Sequence, residues 1–145
     1  MSTPIVLDTN VVLDLLVFDD PATPALQQAL DDGALRWIAT PVMREELARV
    51  LLYPHLVARL DYYRLSADEV LAAFDRQAQR VDVAPKAPMV CRDPDDQKFI
   101  DLAVAHRAQL LSKDHAVLKL KKRLLLQGVP VATRFDALPV LEPLT

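Results

Sequence analysis

Pro4-Ile5-Val6-Leu7-Asp8-Thr9-Asn10 decides how this chain is read. Its first four residues form a short unbroken apolar run that ends at an acid. That is the pattern of a strand buried on both faces in a parallel sheet. Asp8 then stands at a strand's carboxyl end, and Val11-Val12-Leu13-Asp14-Leu15-Leu16-Val17 continues as a largely apolar helix stopped by Asp19-Asp20-Pro21. The same alternation recurs down the chain. Further strands are expected at residues 35–39, 80–83, 109–112 and 129–132, the last at a sheet edge because Pro130 cannot donate to a ladder. A helix is expected over 24–32, capped by Thr23 and closed by Gly33. Others run from Thr40-Pro41 to about 52, over 54–60, and from the capping box Ser66-Ala67-Asp68-Glu69 to about 79. The last two span 93–106 and 115–126, the latter ending at Gly128. Strands separated by helices throughout specify a doubly wound α/β sandwich around a mostly parallel, five-stranded sheet.

With 145 residues, the chain fits one domain, 1–145, since a domain of about 150 residues buries roughly 70% of its unfolded surface. An irregular tail is expected from about residue 133. Only two glycines occur, Gly33 and Gly128, so glycine-rich phosphate loops are excluded. Cys91 is the single cysteine, which excludes an internal disulfide framework and a cysteine zinc cluster and fits a reducing cytoplasm. Asp8 interrupts the first apolar run, which argues against a secretory signal, and no apolar run approaches the ~20 residues of a membrane span. The net charge of −3 argues against a module that grips nucleic acid mainly by neutralising phosphates.

In open α/β sheets, ligands bind beyond the carboxyl ends of the strands, where strand order switches. Asp8 ends the first strand, and Asp114 lies two residues beyond Ser112 at the end of the fourth. Asp96 falls in the first turn of the helix opened by Arg92-Asp93-Pro94-Asp95-Asp96-Gln97-Lys98-Phe99-Ile100, in which Asp93 reads as the N-cap and Asp96 as the inward acid. On the helix after the second strand, the apolar stripe of Met43, Leu47, Val50 and Leu51 points Glu45 to solvent and leaves Glu46 at its margin, within reach of a cleft. Each acid also has a plainer reading. Asp8 and Asp114 could only cap the helices that follow them, and Glu46 could be a solvated acid paired with Arg49 or Arg44. Four carboxylates in one cleft raise each other's pKa values, and a divalent cation removes that penalty. His55, His106 and His115 share no ligand spacing and read as surface or helix-end residues.

At these residues the chain resembles PIN-domain ribonucleases, in particular the VapC-like toxins of bacterial toxin–antitoxin systems. Val6-Leu7-Asp8-Thr9-Asn10, Glu45-Glu46-Leu47, Asp93-Pro94-Asp95-Asp96-Gln97-Lys98-Phe99 and Leu110-Leu111-Ser112-Lys113-Asp114 resemble the family's four motifs in order. The resemblance implies a PIN-like three-layer α/β/α sandwich. It implies an endoribonuclease dependent on Mg²⁺ or Mn²⁺, with Asp8, Glu46, Asp96 and Asp114 as the metal-holding and catalytic acids and Thr9, Asn10 and Ser112 in support. It also implies an RNA substrate, a cognate antitoxin partner and a homodimer. Asp14, Asp93, Asp95 and Asp101 are acids beyond that set, and Asp93 and Asp101 are the two whose place at the metal is open.

Lys113, Lys119, Lys121, Lys122 and Arg123 form the one basic cluster, readable as a solvated helix face or as a track for an RNA backbone. A non-catalytic PIN-fold RNA-binding or adaptor module is the alternative function. A phosphatase of the haloacid dehalogenase type would need an acid two residues after Asp8, where Asn10 stands. A receiver domain would need an aspartate ending its middle strand, where Val83 is followed by Ala84-Pro85.

Overall fold

Ile5, Val6 and Leu7 have almost no exposure on either side of their strand, as an unbroken apolar run in a central strand requires. The computed structural model describes residues 2–139. Among them five strands form one parallel sheet: β1 (Thr3–Leu7), β2 (Leu35–Ala39), β3 (Gln79–Arg80), β4 (Gln109–Leu111) and β5 (Val131–Ala132). Their order is β3-β2-β1-β4-β5. Strand β1 pairs on one side with β2, Ile5 opposite Trp37, and on the other with β4, Leu7 opposite Leu111. The order therefore switches at β1–β4.

Eight helices surround the sheet among the described residues: α1 (Thr9–Leu13), α2 (Pro24–Asp31), α3 (Pro41–Val50), α4 (Pro54–Tyr63), α5 (Ala67–Gln77), α6 (Gln97–His106), α7 (His115–Leu118) and α8 (Lys121–Leu126). Right-handed crossovers put α1–α5 on one face and α6–α8 on the other. The result is the expected three-layer α/β/α sandwich. On the first face the Trp37 indole of β2 meets Phe74 of α5 edge-on, with centroids 5.1 Å apart. None of these helices is long and apolar enough to cross a membrane.

Several local expectations are corrected. Helix α1 does not run on regularly to Val17, because residues Asp14–Phe18 form a π-helical turn in which the Asp19 amide reaches back five residues to the Asp14 carbonyl. Thr23 does not cap α2 with its side chain. Its hydroxyl instead donates backwards to the Asp20 carbonyl at 2.6 Å. Strand β3 is Gln79–Arg80 rather than 80–83, since its hydrogen bonding to β2 ends with the Val81 amide on the Ala39 carbonyl at 2.9 Å. The helix expected over 115–126 breaks at Lys119-Leu120 into α7 and α8. Other expectations agree with the structure. Helix α3 opens at Thr40-Pro41, Ser66 and Glu69 form the capping box of α5, and β5 is an edge strand. Of the tail, Phe135–Ala137 forms one 3₁₀ turn, and the part from 140 onward lies outside the described residues.

The segment from Ala84 to Arg92 is an extended strap whose Ala87, Met89 and Cys91 are buried while Pro88 and Val90 are exposed. Two residues of α6 fasten it. The Gln97 side chain accepts from the Cys91 amide at 2.6 Å and donates to the Met89 carbonyl at 2.9 Å. Asp101 Oδ1 accepts from both the Ala87 amide and Gln97 Nε2, each at 2.8 Å. Asp101 is therefore spent on the strap. Asp101→Ala leaves these donors without their acceptor and should cost about 1–2 kcal/mol of stability. Urea denaturation checks the loss, and hydrogen exchange should quicken at Ala87 and Cys91.

Candidate metal centre

Because strands β1 and β4 are adjacent and parallel, the residues following them leave the sheet at the same edge. The Asp8 amide donates to the Leu111 carbonyl at 3.0 Å, which holds the first residue beyond β1 against the end of β4. Asp8 is itself buried. Its Oδ1 accepts from the Val11 amide at 2.9 Å, capping α1. Its Oδ2 accepts from the Ser112 hydroxyl at 2.6 Å and the Lys113 amide at 3.1 Å. Burial pushes the Asp8 carboxyl above the usual carboxylate range and the nearby Asp114 charge adds to this, while the Ser112, Val11 and Lys113 donors pull the other way.

Ser112 Oγ also accepts from the Asp114 amide at 3.1 Å. One buried hydroxyl thus positions two acids. Asp114 accepts from the Ala116 amide at 2.8 Å and caps α7. Asp93 accepts from the Asp95 amide at 3.0 Å and caps the 3₁₀ turn Pro94–Asp96 that leads into α6. Asp96 lies at the end of that turn. Capping was expected of Asp93, whose place at the metal was open, and inward approach of Asp96; Asp93 does both, whereas the Asp96 side chain caps nothing. Asp93, Asp96 and Asp114 bring a carboxylate oxygen each within 4.8 Å of one another.

Asp96 carries the strain of this arrangement. Its Oδ2 is buried without a hydrogen-bond donor. Burial, the Asp114 carboxyl within hydrogen-bonding reach, and the charges of Asp114, Asp93 and Asp8 push its pKa up to about 7. Two ionised carboxylates so close repel each other, so the Asp96 carboxyl keeps its proton to higher pH than an isolated one. A divalent cation relieves the same repulsion more fully. The donors are all oxygen, which suits a hard cation such as Mg²⁺ or Mn²⁺. The residues fit such an ion.

Glu46 stands apart from the trio. Its Oε1 accepts from the Thr9 hydroxyl, and its Oε2 pairs with the Lys98 ammonium at 2.5 Å, the two side chains being only 14% and 20% exposed. Lys98 also donates to the Asp95 carbonyl. Glu45 is exposed, as the helical stripe predicts. Arg44, one of the partners considered for Glu46, instead clamps Asp75 with two hydrogen bonds of 2.7 and 2.8 Å, while Arg49 reaches Glu46 only at 4.0 Å. Asp8, Thr9, Asn10, Glu46, Asp95 and Asp96 line one cleft of about 270 Å³, together with Arg49, Tyr53 and His55. Lys113 is taken out of the basic cluster, because its ammonium pairs with the buried Asp14. Lys119, Lys121, Lys122 and Arg123 are exposed.

Sequence reasoning passed over Lys98 and treated His55 as an ordinary surface residue. Lys98 lies two residues after Asp96, in the first turn of α6, so a search for the cation that balances Glu46 could have found it. His55 had no signal of its own, since only the fold carries the start of α4 to the cleft.

The sequence matches the family model described as PIN domain over residues 4–116. In structure the chain is similar to a chain of VapBC2 from Rickettsia felis, whose crystal structure was determined bound to a DNA fragment from their promoter. The TM-score is 0.61 at 12% identity, over 89% of this chain and 97% of that one, a likeness of fold. No curated protein matches the sequence.

Asp96→Asn removes the charge that the cleft opposes. In the unfolded chain the Asp96 carboxyl ionises near its ordinary value, and in the folded protein only near 7. Its contribution to stability is therefore present at low pH and lost as pH rises through about 7. Without metal, Asp96→Asn should be more stable than the parent at pH 8, by on the order of 1 kcal/mol, and the gain should fade as pH falls toward 4. Urea denaturation across that range checks both the sign and the pH dependence.

Proposed function

Because the chain belongs to the PIN-domain family, we propose that it is a metal-dependent endoribonuclease that hydrolyses RNA phosphodiester bonds and serves as the toxin of a toxin–antitoxin pair. The observation that carries this reading is the buried, partnerless Asp96 oxygen within the carboxylate trio at the strand-order switch. PIN domains are nucleases as a rule, and an idle protein has no use for such crowding. Asp8, Asp96 and Asp114 are proposed as the residues that hold Mg²⁺ or Mn²⁺, with Asp93 beside them. When bound, the cation supplies charge stabilisation at the phosphodiester and lowers the pKa of a water nucleophile.

The chain's own residues prepare the site. Ser112 fixes Asp8 and Asp114 relative to each other, so neither carboxylate must reorganise when substrate arrives. Asp96, whose pKa is pushed up to about 7 by burial and its carboxylate neighbours, must lose its proton for a cation to load, which makes metal affinity rise with pH through neutrality. Glu46, proposed as the fourth acid, reaches the cleft with its charge balanced by Lys98 and its orientation set by Thr9. Asn10 adds a side-chain amide at the cleft wall. The exposed Lys119, Lys121, Lys122 and Arg123 remain a proposed track for the RNA backbone. The resemblance to VapC-like toxins and the fold shared with a VapBC2 chain support a cognate antitoxin as partner; a homodimer and a cytoplasmic setting are proposed on the resemblance alone.

The cleanest variant is Asp96→Asn. Asp8→Asn would also set an amide donor against the Val11 or Lys113 N–H and weaken the fold for a separate reason. With Mg²⁺ or Mn²⁺ supplied, Asp96→Asn should cut the rate of RNA cleavage by about 100-fold or more while its circular dichroism matches the parent. Cleavage at the parental rate would refute the assignment. A parent that binds several RNAs and cleaves none would favour the adaptor reading.

A further inference from the structure

The cleft has a second wall that the acids do not use. Arg49 lies in the last turn of α3, Tyr53 precedes Pro54 at the start of α4, and His55 lies in its first turn; Leu13, Val50 and Leu56 complete this side. The Tyr53 and His55 rings are 6.1 Å apart and tilted by 39°. Tyr53 borders the cleft and is 42% exposed, so its side chain is accessible to a ligand there. Its backbone is firmly held. Pro54 restricts it to the extended conformation it adopts, with φ −65° and ψ 140°. Its amide donates to the Val50 carbonyl at 3.0 Å, and its carbonyl accepts from the Leu56 and Val57 amides, each at 2.9 Å. The Arg49 side chain is 64% exposed and approaches Glu46 only at 4.0 Å, which leaves most of its five donors free for an anion.

The carboxylates on the acid wall of the cleft repel an RNA strand, and a net charge of −3 gives no general attraction. Binding therefore needs a local source of affinity beside the acids. We propose that Arg49, Tyr53 and His55 form a nucleotide subsite for single-stranded RNA, with a base stacked on the two rings and an adjoining phosphate held by Arg49. The inference rests on the ribonuclease reading and adds to it the form of the substrate. A base buried in a duplex presents no face to Tyr53, so the subsite selects an unpaired nucleotide next to the bond that is cut.

The test uses the full chain carrying Asp96→Asn, with Mg²⁺, so that RNA is bound without turnover. Fluorescence anisotropy measures its affinity for a labelled single-stranded oligouridylate, with a duplex of the same length as competitor. Adding Tyr53→Ala should weaken binding on the order of tenfold, while Tyr53→Phe, which keeps the ring, should leave it nearly unchanged. Tyr53→Leu keeps apolar bulk without an aromatic face and should behave like Tyr53→Ala, which separates stacking from a folding defect. Arg49→Ala should weaken binding about as much and lower the slope of log affinity against log salt by about one. Equal binding by the Tyr53→Ala, Tyr53→Leu and parent chains would overturn the subsite, as would a duplex that competes as well as the single strand. Cleavage by the otherwise wild-type chain, measured in parallel, tells the two failures apart. If RNA is cut but Tyr53 and Arg49 are indifferent, only the subsite fails; if none is bound or cut, the ribonuclease reading fails with it.

Discussion

Mutual repulsion of carboxylates is the constraint around which this protein is arranged. Asp93, Asp96 and Asp114 each place an oxygen within 4.8 Å of the others, with Asp8 joined to Asp114 through Ser112. Without a cation such a cluster destabilises the fold, and burial together with the neighbouring carboxylates pushes the Asp96 pKa up to about 7. The fold tolerates it because three of the four acids are also helix caps. Asp8, Asp93 and Asp114 each give an oxygen to a backbone amide at a helical start, where a negative charge is favoured. Asp96 has no such compensation.

The sheet is what makes the crowding possible. Placing β4 beside β1 brings two strand ends together at the order switch, and the Asp8 amide on Leu111 locks them in register. The third contribution comes across the strap, which Gln97 and Asp101 pin to α6 so that the Asp93–Asp96 turn is delivered to the same edge. Glu46 arrives from α3 with its own counter-ion, Lys98. Stability is thus surrendered at one edge and recovered elsewhere in buried apolar strands, as is usual where a site is built for a ligand.

Much of this was legible in the residues. The run Ile5-Val6-Leu7 ended by Asp8 could only be a central parallel strand, and the helical stripe of α3 separated half-buried Glu46 from exposed Glu45. Capping chemistry marked Ser66 because a hydroxyl before a helix has a local amide to accept from. The failures have a common cause: they depend on partners distant in sequence or on backbone choices without a side-chain signature. Thr23 looks like a cap until the Asp20 carbonyl is there to take its proton. Lys113 looks like free positive charge until the π-helical turn beginning at Asp14 places a buried acid against it. Strand β3 stops early because the chain leaves β2 after Val81, which an alternating Arg80-Val81-Asp82-Val83 pattern does not announce.

A crystal of the chain soaked in Mn²⁺ and measured at the manganese absorption edge tests the central claim most directly. An anomalous peak is expected among Asp8, Asp96 and Asp114, with Asp96 Oδ2 as a ligand, and no such peak in Asp96→Asn crystals treated identically. A fully soaked parent crystal with no manganese at these carboxylates, or with the ion held elsewhere and Asp96 still protonated against Asp114, would contradict it.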